Sequence, residues 1–471
     1  MSGSTHKGTL LLTAAQLWHA VSGYIAFVVG ARILGRDDYD GFVLVAWTMT
    51  TLEIFVVEGV PRAVSWWTAR VSEGAAGIAR RGFFLTVLVG ALLGGSLAGL
   101  APLIAGVWRE PDLVGAIRLS GLDFVAFAGF AVLVQSVNGL RRYNLQAGVW
   151  FLYSTAKVLA IVGFLRLGWG IEGAILGYIV ASSIGSLGAA VLAGPHVARF
   201  RGRSLPDARR LLVFGAPMAS FSLALMALVN VDLWAAKRVA DDDGTAGDYA
   251  GASMLARSLF FVFKAFGDAL FPAVAEALAR GDTRRARRIA RDGIAQLSCL
   301  LIPVCGCVTG AAESVIVTLL GSGDWGGGGA YVACLAPSSV LWTLTAVFAA
   351  LVAAASRPGR VAVMLVALLV VETFVVFAWA DVSGPMGAAL GSLVAAAVGC
   401  VGTGVLARRL LGAIVPWSAI LCATGAACVI DRAMRLWSPE GWLVFCWGGL
   451  LFATALSALF ASGVVSAQRR L

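Results

Sequence analysis

The feature that most limits what this chain can become is a succession of apolar runs, each long enough to cross a bilayer. A spanning helix needs about 20 mostly apolar residues. Read with that window, the sequence gives about fourteen such runs, at roughly 9–34, 41–61, 83–107, 115–139, 146–167, 171–193, 211–236, 249–275, 293–320, 330–355, 361–380, 385–406, 412–430 and 441–463. Hydrophobic residues fill 59% of the 471 positions and charged residues only 13%, against about 25% charged in an ordinary soluble domain. A water-facing surface of this size cannot be built from 36 Lys and Arg with 26 Asp and Glu. Disorder is excluded as well, because it requires low hydrophobicity. The eight cysteines lie in apolar runs of a long chain, unlike a small disulfide scaffold. No period-two alternation marks a lipid-facing barrel. The expectation is an all-α integral membrane protein, its first run an uncleaved span because it is too long for a signal-peptide core.

Charge in the connections sets the expected orientation. With both termini in the cytoplasm, basic residues gather in every second connection. They include Arg70, Arg80 and Arg81; Arg141 and Arg142; Arg199, Arg201, Arg203, Arg209 and Arg210; Arg280, Arg284, Arg285, Arg287, Arg288 and Arg291; and Arg408, Arg409, Arg469 and Arg470. The opposite connections are acidic, as in Asp37, Asp38 and Asp40 or Asp241, Asp242 and Asp243. This follows the positive-inside rule and predicts a multi-pass protein of the cell (inner) membrane. The net charge of +10 then reflects topology and attraction to anionic inner-leaflet lipid, and needs no nucleic acid. The connections are short and leave no room for a soluble catalytic domain. Cys305-Gly-Cys307 is not a zinc spacing, and His6, His19 and His196 form no ligand cluster. Gly326-Gly327-Gly328-Gly329 lacks the Gly-Lys-Ser/Thr ending of a phosphate loop and reads as a flexible outer connection. No cofactor is expected. Trp108, Trp169, Trp325, Trp379 and Trp442 fall near expected outer ends and read as an interfacial belt.

The two halves resemble each other. Asp38-Tyr39-Asp40-Gly41 matches Asp248-Tyr249-Ala250-Gly251, and without a gap Ala46 falls on Ala256 and Glu58 on Asp268. Further on, Gly170-Ile-Glu-Gly173-Ala-Ile-Leu-Gly177 matches Gly384-Pro-Met-Gly387-Ala-Ala-Leu-Gly391, and Gly185 and Gly188 fall on Gly399 and Gly402. Small residues also recur in membrane helices simply because they let helices approach, but two separate stretches share nearly one offset. A unit of six spans returns the chain to its starting side, so the copies run parallel, a transporter design with the substrate site between halves. The expected organisation is a six-helix lobe over 1–208, a second over 209–410, and two further helices with a short cytoplasmic tail over 411–471.

These residues also carry a resemblance. Arg32-Ile-Leu-Gly35-Arg-Asp-Asp-Tyr39-Asp-Gly41-Phe42, Phe214-Gly215-Ala-Pro217, Gly247-Asp-Tyr249-Ala-Gly-Ala252 and Leu270-Phe271-Pro272 stand in an order and spacing similar to the Wzx-type polysaccharide-lipid flippases. These belong to the multidrug, oligosaccharidyl-lipid and polysaccharide (MOP) superfamily. The resemblance covers roughly residues 8–410, and the last two spans resemble the fourteen-helix members. It implies a V-shaped, two-lobed bundle that carries a polyprenyl-diphosphate-linked saccharide from the inner to the outer leaflet by alternating access. A glycosyltransferase or polymerase of the same pathway is an implied partner. The chain also resembles lipid II flippases and, more distantly, multidrug and toxin extruders. Its first span has no mid-span arginine, unlike the arginine-lined entrance expected of a lipid II flippase. Alternatives are a cation-coupled drug exporter and, in another class, a membrane glycosyltransferase or ligase, for which the outer loops are too short.

Charged side chains inside spans cost about 2.5–3.5 kcal/mol each and usually face a wet cavity or a partner. In the eighth span Arg257, Lys264 and Asp268 share one helical stripe, as Glu58 and Arg62 do in the second. The two spans are repeat equivalents, so the stripes are expected to form a cationic lumen edged with carboxylates and suited to a diphosphate. Arg118 and Lys157 are further candidates, and Gln16 and His19 suit saccharide hydroxyls. The bland reading is internal pairing: Glu58 with Arg62, Lys264 with Asp268, and Arg118 or Lys157 with Asp123. Asp232 and Glu372 have no basic residue within one turn on their own faces. The resemblance implies a cation site in this half, and with Asn230 the two acids are candidates for coupling to a proton or sodium ion. For Glu372 a buried neutral acid is the simpler alternative.

Overall fold

The computed structural model describes residues 3–70, 75–195, 207–321, 325–356, 358–437 and 439–461. Among them there is no strand. In lipid every backbone polar group must be satisfied within the segment, and a helix does this without a partner. The helices are α1 (Gly3–Glu58), α2 (Val60–Arg70), α3 (Ala75–Trp108), α4 (Val114–Gly139), α5 (Tyr143–Arg166), α6 (Gly170–Leu192) and α7 (Ala208–Val239). They continue with α8 (Asp243–Ala279), α9 (Thr283–Gly310), α10 (Ala312–Leu320), α11 (Gly328–Ala355), α12 (Pro358–Leu411), α13 (Trp417–Trp437) and α14 (Leu443–Ala461). The apolar runs fall on helix over most of their length among the described residues. Ten helices are long and apolar enough to cross a membrane, among the described residues. Two of the long elements are hairpins with no loop. α1 breaks at Gly35 (φ 80°) and folds back, so that Phe27 stacks on Trp47 with ring centroids 5.3 Å apart. α12 breaks at Ser383 and Gly384 (φ 63°).

The chain forms two compact units, Met1–Met226 and Ala227–Leu471, divided inside α7. In the first, α3 packs on α4, α5 on α6 and on α1, and α4 on α6. In the second, α11 packs on α12 and α8, while α13 lies along α9 with α14 beside it.

Glycines of the matched stretches take similar places in the packing. Gly170 and Gly384 both take positive φ, 58° and 63°, a conformation that only glycine enters without strain. Seven residues on, Gly177 and Gly391 each let a backbone come close. A Cβ at Gly177 would stand 2.7 Å from Ile161 Cα, and one at Gly391 would stand 2.9 Å from Val376 Cα. Tyr39 and Tyr249, the aromatic residues of the other matched stretch, are both fully buried.

Several expectations need correction. The run 293–320 is two helices, because the chain turns at Ala311 between α9 and α10. The run of glycines is no open connection: Trp325–Gly327 is a 3-10 turn and Gly328 opens α11. A Cβ on Gly328 would lie 2.9 Å from Ile316 Cδ1, so that glycine permits contact rather than motion. Of the five belt tryptophans, Trp169, Trp379 and Trp442 are exposed, but Trp108 and Trp325 are buried in their own units. The basic residues Arg199, Arg201, Arg203, Arg469 and Arg470 lie outside the described residues.

Candidate functional site

In the second unit, α7 and α8 bring Asp232 and Arg257 together, each about 2% exposed. Arg257 Nη2 donates to Asp232 Oδ1 at 2.7 Å, and its Nε donates to the Val229 carbonyl at 2.8 Å. A third bond runs from Arg257 Nη1 to Ser253 Oγ at 3.2 Å. The second Asp232 oxygen accepts from the Tyr249 hydroxyl at 2.8 Å. Asp232 therefore has a basic partner, contrary to the sequence expectation. Arg257 reaches it from the neighbouring helix, where spacing along one helix gives no sign of it. The Arg257 charge is correspondingly compensated, and the expected free cationic stripe is not what α8 presents at this position.

Glu372 of α12 is 0% exposed, and neither of its carboxyl oxygens has a hydrogen-bond partner among the described residues. It lies within electrostatic reach of Asp232 and Arg257. Asn230 is buried as well. A small cavity adjoins the pair, lined by Asp232, Arg257, Ser338, Ser339, Trp342 and Ser392, with about 10 Å3 of room, enough for about one water. Ser338 and Ser392 hydroxyls bond across it at 3.1 Å. Lys264 is half-buried two turns along α8. The side chain of Asp268 lies outside the described residues.

The first unit holds a different cluster. Lys157 of α5 is buried and within electrostatic reach of Glu53 of α1. Its Nζ stands 5.8 Å from the Tyr153 ring centroid. Glu53 and Asp123 of α4 lie side by side, both buried, with Glu53 Oε1 and both Asp123 oxygens lacking hydrogen-bond partners among the described residues. His19 Nδ1 and Ser154 Oγ are 3.0 Å apart, and His19 lies between Trp150 and Tyr153. Gln16, three residues before it, is exposed.

Arg118 is exposed on α4 and makes no ion pair among the described residues. It does not approach Asp123 as a partner. Arg62 and Glu58 pair at 3.1 Å along the helix, with side chains 43% and 21% exposed, the bland arrangement read from the sequence. Sequence reasoning alone misses Glu53 and Tyr249. The signal for Glu53 was a carboxylate in an apolar run; for Tyr249 it was the repeated Asp-Tyr pair.

Long apolar helices around a few buried charges mark a multi-pass membrane protein. Residues 5–278, more than half of the chain, match the family described as "Polysaccharide biosynthesis protein", and the chain belongs to that family. Solved structures share its fold. One is the lipid II flippase MurJ in an inward closed conformation, with TM-score 0.74, 11% identity, and 97% of this chain and 100% of that one covered. Another is an inward-facing multidrug resistance MATE family transporter of the MOP superfamily, with TM-score 0.64, 14% identity and coverages of 83% and 95%. A third is the eukaryotic MATE transporter AtDTX14, with TM-score 0.61, 14% identity and coverages of 92% and 100%. No curated protein matches the chain.

Proposed function

We propose that the chain carries a polyprenyl-diphosphate-linked saccharide from the inner to the outer leaflet by alternating access, in cell-surface polysaccharide biosynthesis. Family membership supports the substrate class. The observation that carries the mechanism is the buried Arg257–Asp232 pair with the unpartnered Glu372 beside it. A diphosphate offers a guanidinium the same bidentate geometry as a carboxylate, with more charge. On reaching Arg257 it competes with Asp232, while Lys264, on the same stripe of α8, adds a second cation. The released carboxylate and Glu372 then share a proton, because two unpaired anions at one buried site are costly. A sodium ion fits this donor set poorly. Both Asp232 oxygens already accept hydrogen bonds and a guanidinium stands beside them, so a bound cation would meet like charge, and sodium favours several free oxygens. Lys157, with Asp123 and Glu53, forms the first unit's own buried charge cluster, and His19 with Ser154 suits a saccharide hydroxyl. Arg62, Arg118, Glu58 and Gln16 stand outside this path.

The test is surface glycan in a flippase-deficient host, with protein abundance checked by blot. Arg257→Ala, Lys264→Ala and Glu372→Gln are expected to abolish or strongly reduce glycan, with partial rescue by Arg257→Lys. Near-normal glycan in all three variants overturns the mechanism. A chain that fails to restore glycan but restores cell-wall growth in a host lacking its lipid II flippase, or exports cationic drugs, overturns the substrate. In this reading the protein lies in the inner membrane with both termini cytoplasmic. An impermeant thiol reagent is then expected to label Asp242→Cys in intact cells and to leave Arg285→Cys untouched.

A further inference from the structure

The strongest unassigned charge in the second unit sits at the start of α9. Arg284, Arg287, Arg288 and Arg291 follow the i, i+3, i+4, i+7 spacing that puts side chains on one helical face. They line a cavity of about 390 Å3, closed on its other side by Pro416 and Ser418, where the chain leaves α12 and enters α13. That volume falls in the range of small-molecule sites, about 300–1,000 Å3. None of the four arginines makes an ion pair among the described residues. Asp292 is the only acid in the lining and salt-bridges none of them. Arg287 is fixed through Nε to the Leu411 carbonyl at 2.7 Å, and Gly412, at φ 86°, leaves room for its guanidinium.

This placement breaks two local rules. Like charges three and four residues apart on a helix repel. Cations also belong at a helix C-terminus, whereas these stand in the first turns of α9, where the helix dipole is positive. The first turn of α13 opens on the same cavity and adds a second set of helix-terminal N–H groups. An anion in the cavity would offset all of these costs together. The surroundings indicate where that anion comes from. Beyond Asp292, α9 runs into apolar sequence, and Trp417 at the head of α13 is exposed, as tryptophans are at headgroup level.

We propose that this cavity binds the phosphate of an anionic lipid headgroup, and that the bound lipid ties the α13–α14 pair to α9. Soluble phosphate offers the same chemistry, and the experiment separates the two sources. Native mass spectrometry of the full-length protein in detergent would be run with phosphatidylglycerol, diphosphatidylglycerol or phosphatidylcholine, and in parallel with inorganic phosphate and pyrophosphate. The wild type is expected to retain the anionic lipids over phosphatidylcholine. The triple variant Arg284→Gln, Arg288→Gln, Arg291→Gln is expected to lose that retention by about tenfold or more, since each juxtamembrane basic residue contributes to lipid attraction. A charge-matched control, Arg80→Gln, Arg408→Gln, Arg409→Gln, should retain lipid as the wild type does, and lysine at the three pocket positions should restore most of it. Melting temperatures of the variants check their folding. Equal retention of phosphatidylcholine, or undiminished retention in the pocket triple, overturns the site. Binding of inorganic phosphate or pyrophosphate with no selection among lipids overturns the lipid as its source.

Discussion

The two units carry matched glycines but keep their buried charge differently. Gly177 packs on Ile161 and Gly391 on Val376, which fixes the register between α5 and the first half of α12. Lys157 stands four residues before Ile161, and Glu372 four residues before Val376. The two are therefore equivalent positions with opposite charge. The same logic applies to α1 and α8. In the alignment that pairs Tyr39 with Tyr249, Arg257 falls on Trp47, which in the first unit stacks on Phe27. Each unit holds a cluster of one basic and two acidic buried groups: Lys157 with Glu53 and Asp123, Arg257 with Asp232 and Glu372. What differs is satisfaction. Arg257 donates to Asp232, to Ser253 and to a backbone carbonyl, whereas Lys157 makes no hydrogen bond to either acid. At positions matched by sequence, each unit therefore has its own electrostatics.

Removing each unit's cation tests that contrast most severely. Arg257→Ala leaves Asp232 buried without its partner, and breaking a buried pair in this way costs about 3–5 kcal/mol. Lys157→Ala breaks no hydrogen bond to an acid and should cost clearly less. Thermal unfolding in detergent measures both; equal losses would erase the distinction between the clusters. A double variant, Arg257→Met with Asp232→Leu, should recover most of the lost stability, since apolar replacement of a buried ion pair is often neutral or better. It should still fail to export glycan, which separates the structural from the transport role.

Packing provides the next test, now of likeness rather than difference. Gly177→Ala and Gly391→Ala each push a methyl group into a facing backbone, an overpacking worth about 1–3 kcal/mol. The two losses should be similar, and a large disparity would mean that the repeat is less faithful than its geometry. A smaller stability change is expected for Glu372→Gln, within about 1 kcal/mol, since no hydrogen bond is broken. Glycan export should nevertheless fall steeply while abundance holds. At the bottom of the scale, Arg62→Ala removes a half-exposed i,i+4 pair worth about 0.3–0.5 kcal/mol, and the melting temperature should hardly move.

The helices were legible because lipid imposes one rule on every apolar run, so their existence needed no knowledge of partners. The repeat was legible for a related reason: its glycines are required by backbone geometry, as at Gly170 and Gly384, and survive as a pattern. The site was less so. Asp232 and Arg257 lie on different helices, and a stripe drawn along α8 alone leaves Arg257 looking uncompensated. Arg118 carried the same charge signal as Lys157, yet one is exposed and the other buried, because helix rotation is set by neighbours that the sequence does not name. Trp108 and Trp325 misled for the same reason. Position near a span end suggests an interface, but both rings fill space inside their units.

The breaks at Gly35 and Gly384 have a practical side. A hairpin that reverses over one or two residues leaves almost no peptide standing clear of the fold. Proteases and antibodies need several residues in extended form, and these two corners have none to give them. Epitope tags inserted there would have to displace helix rather than lengthen a loop.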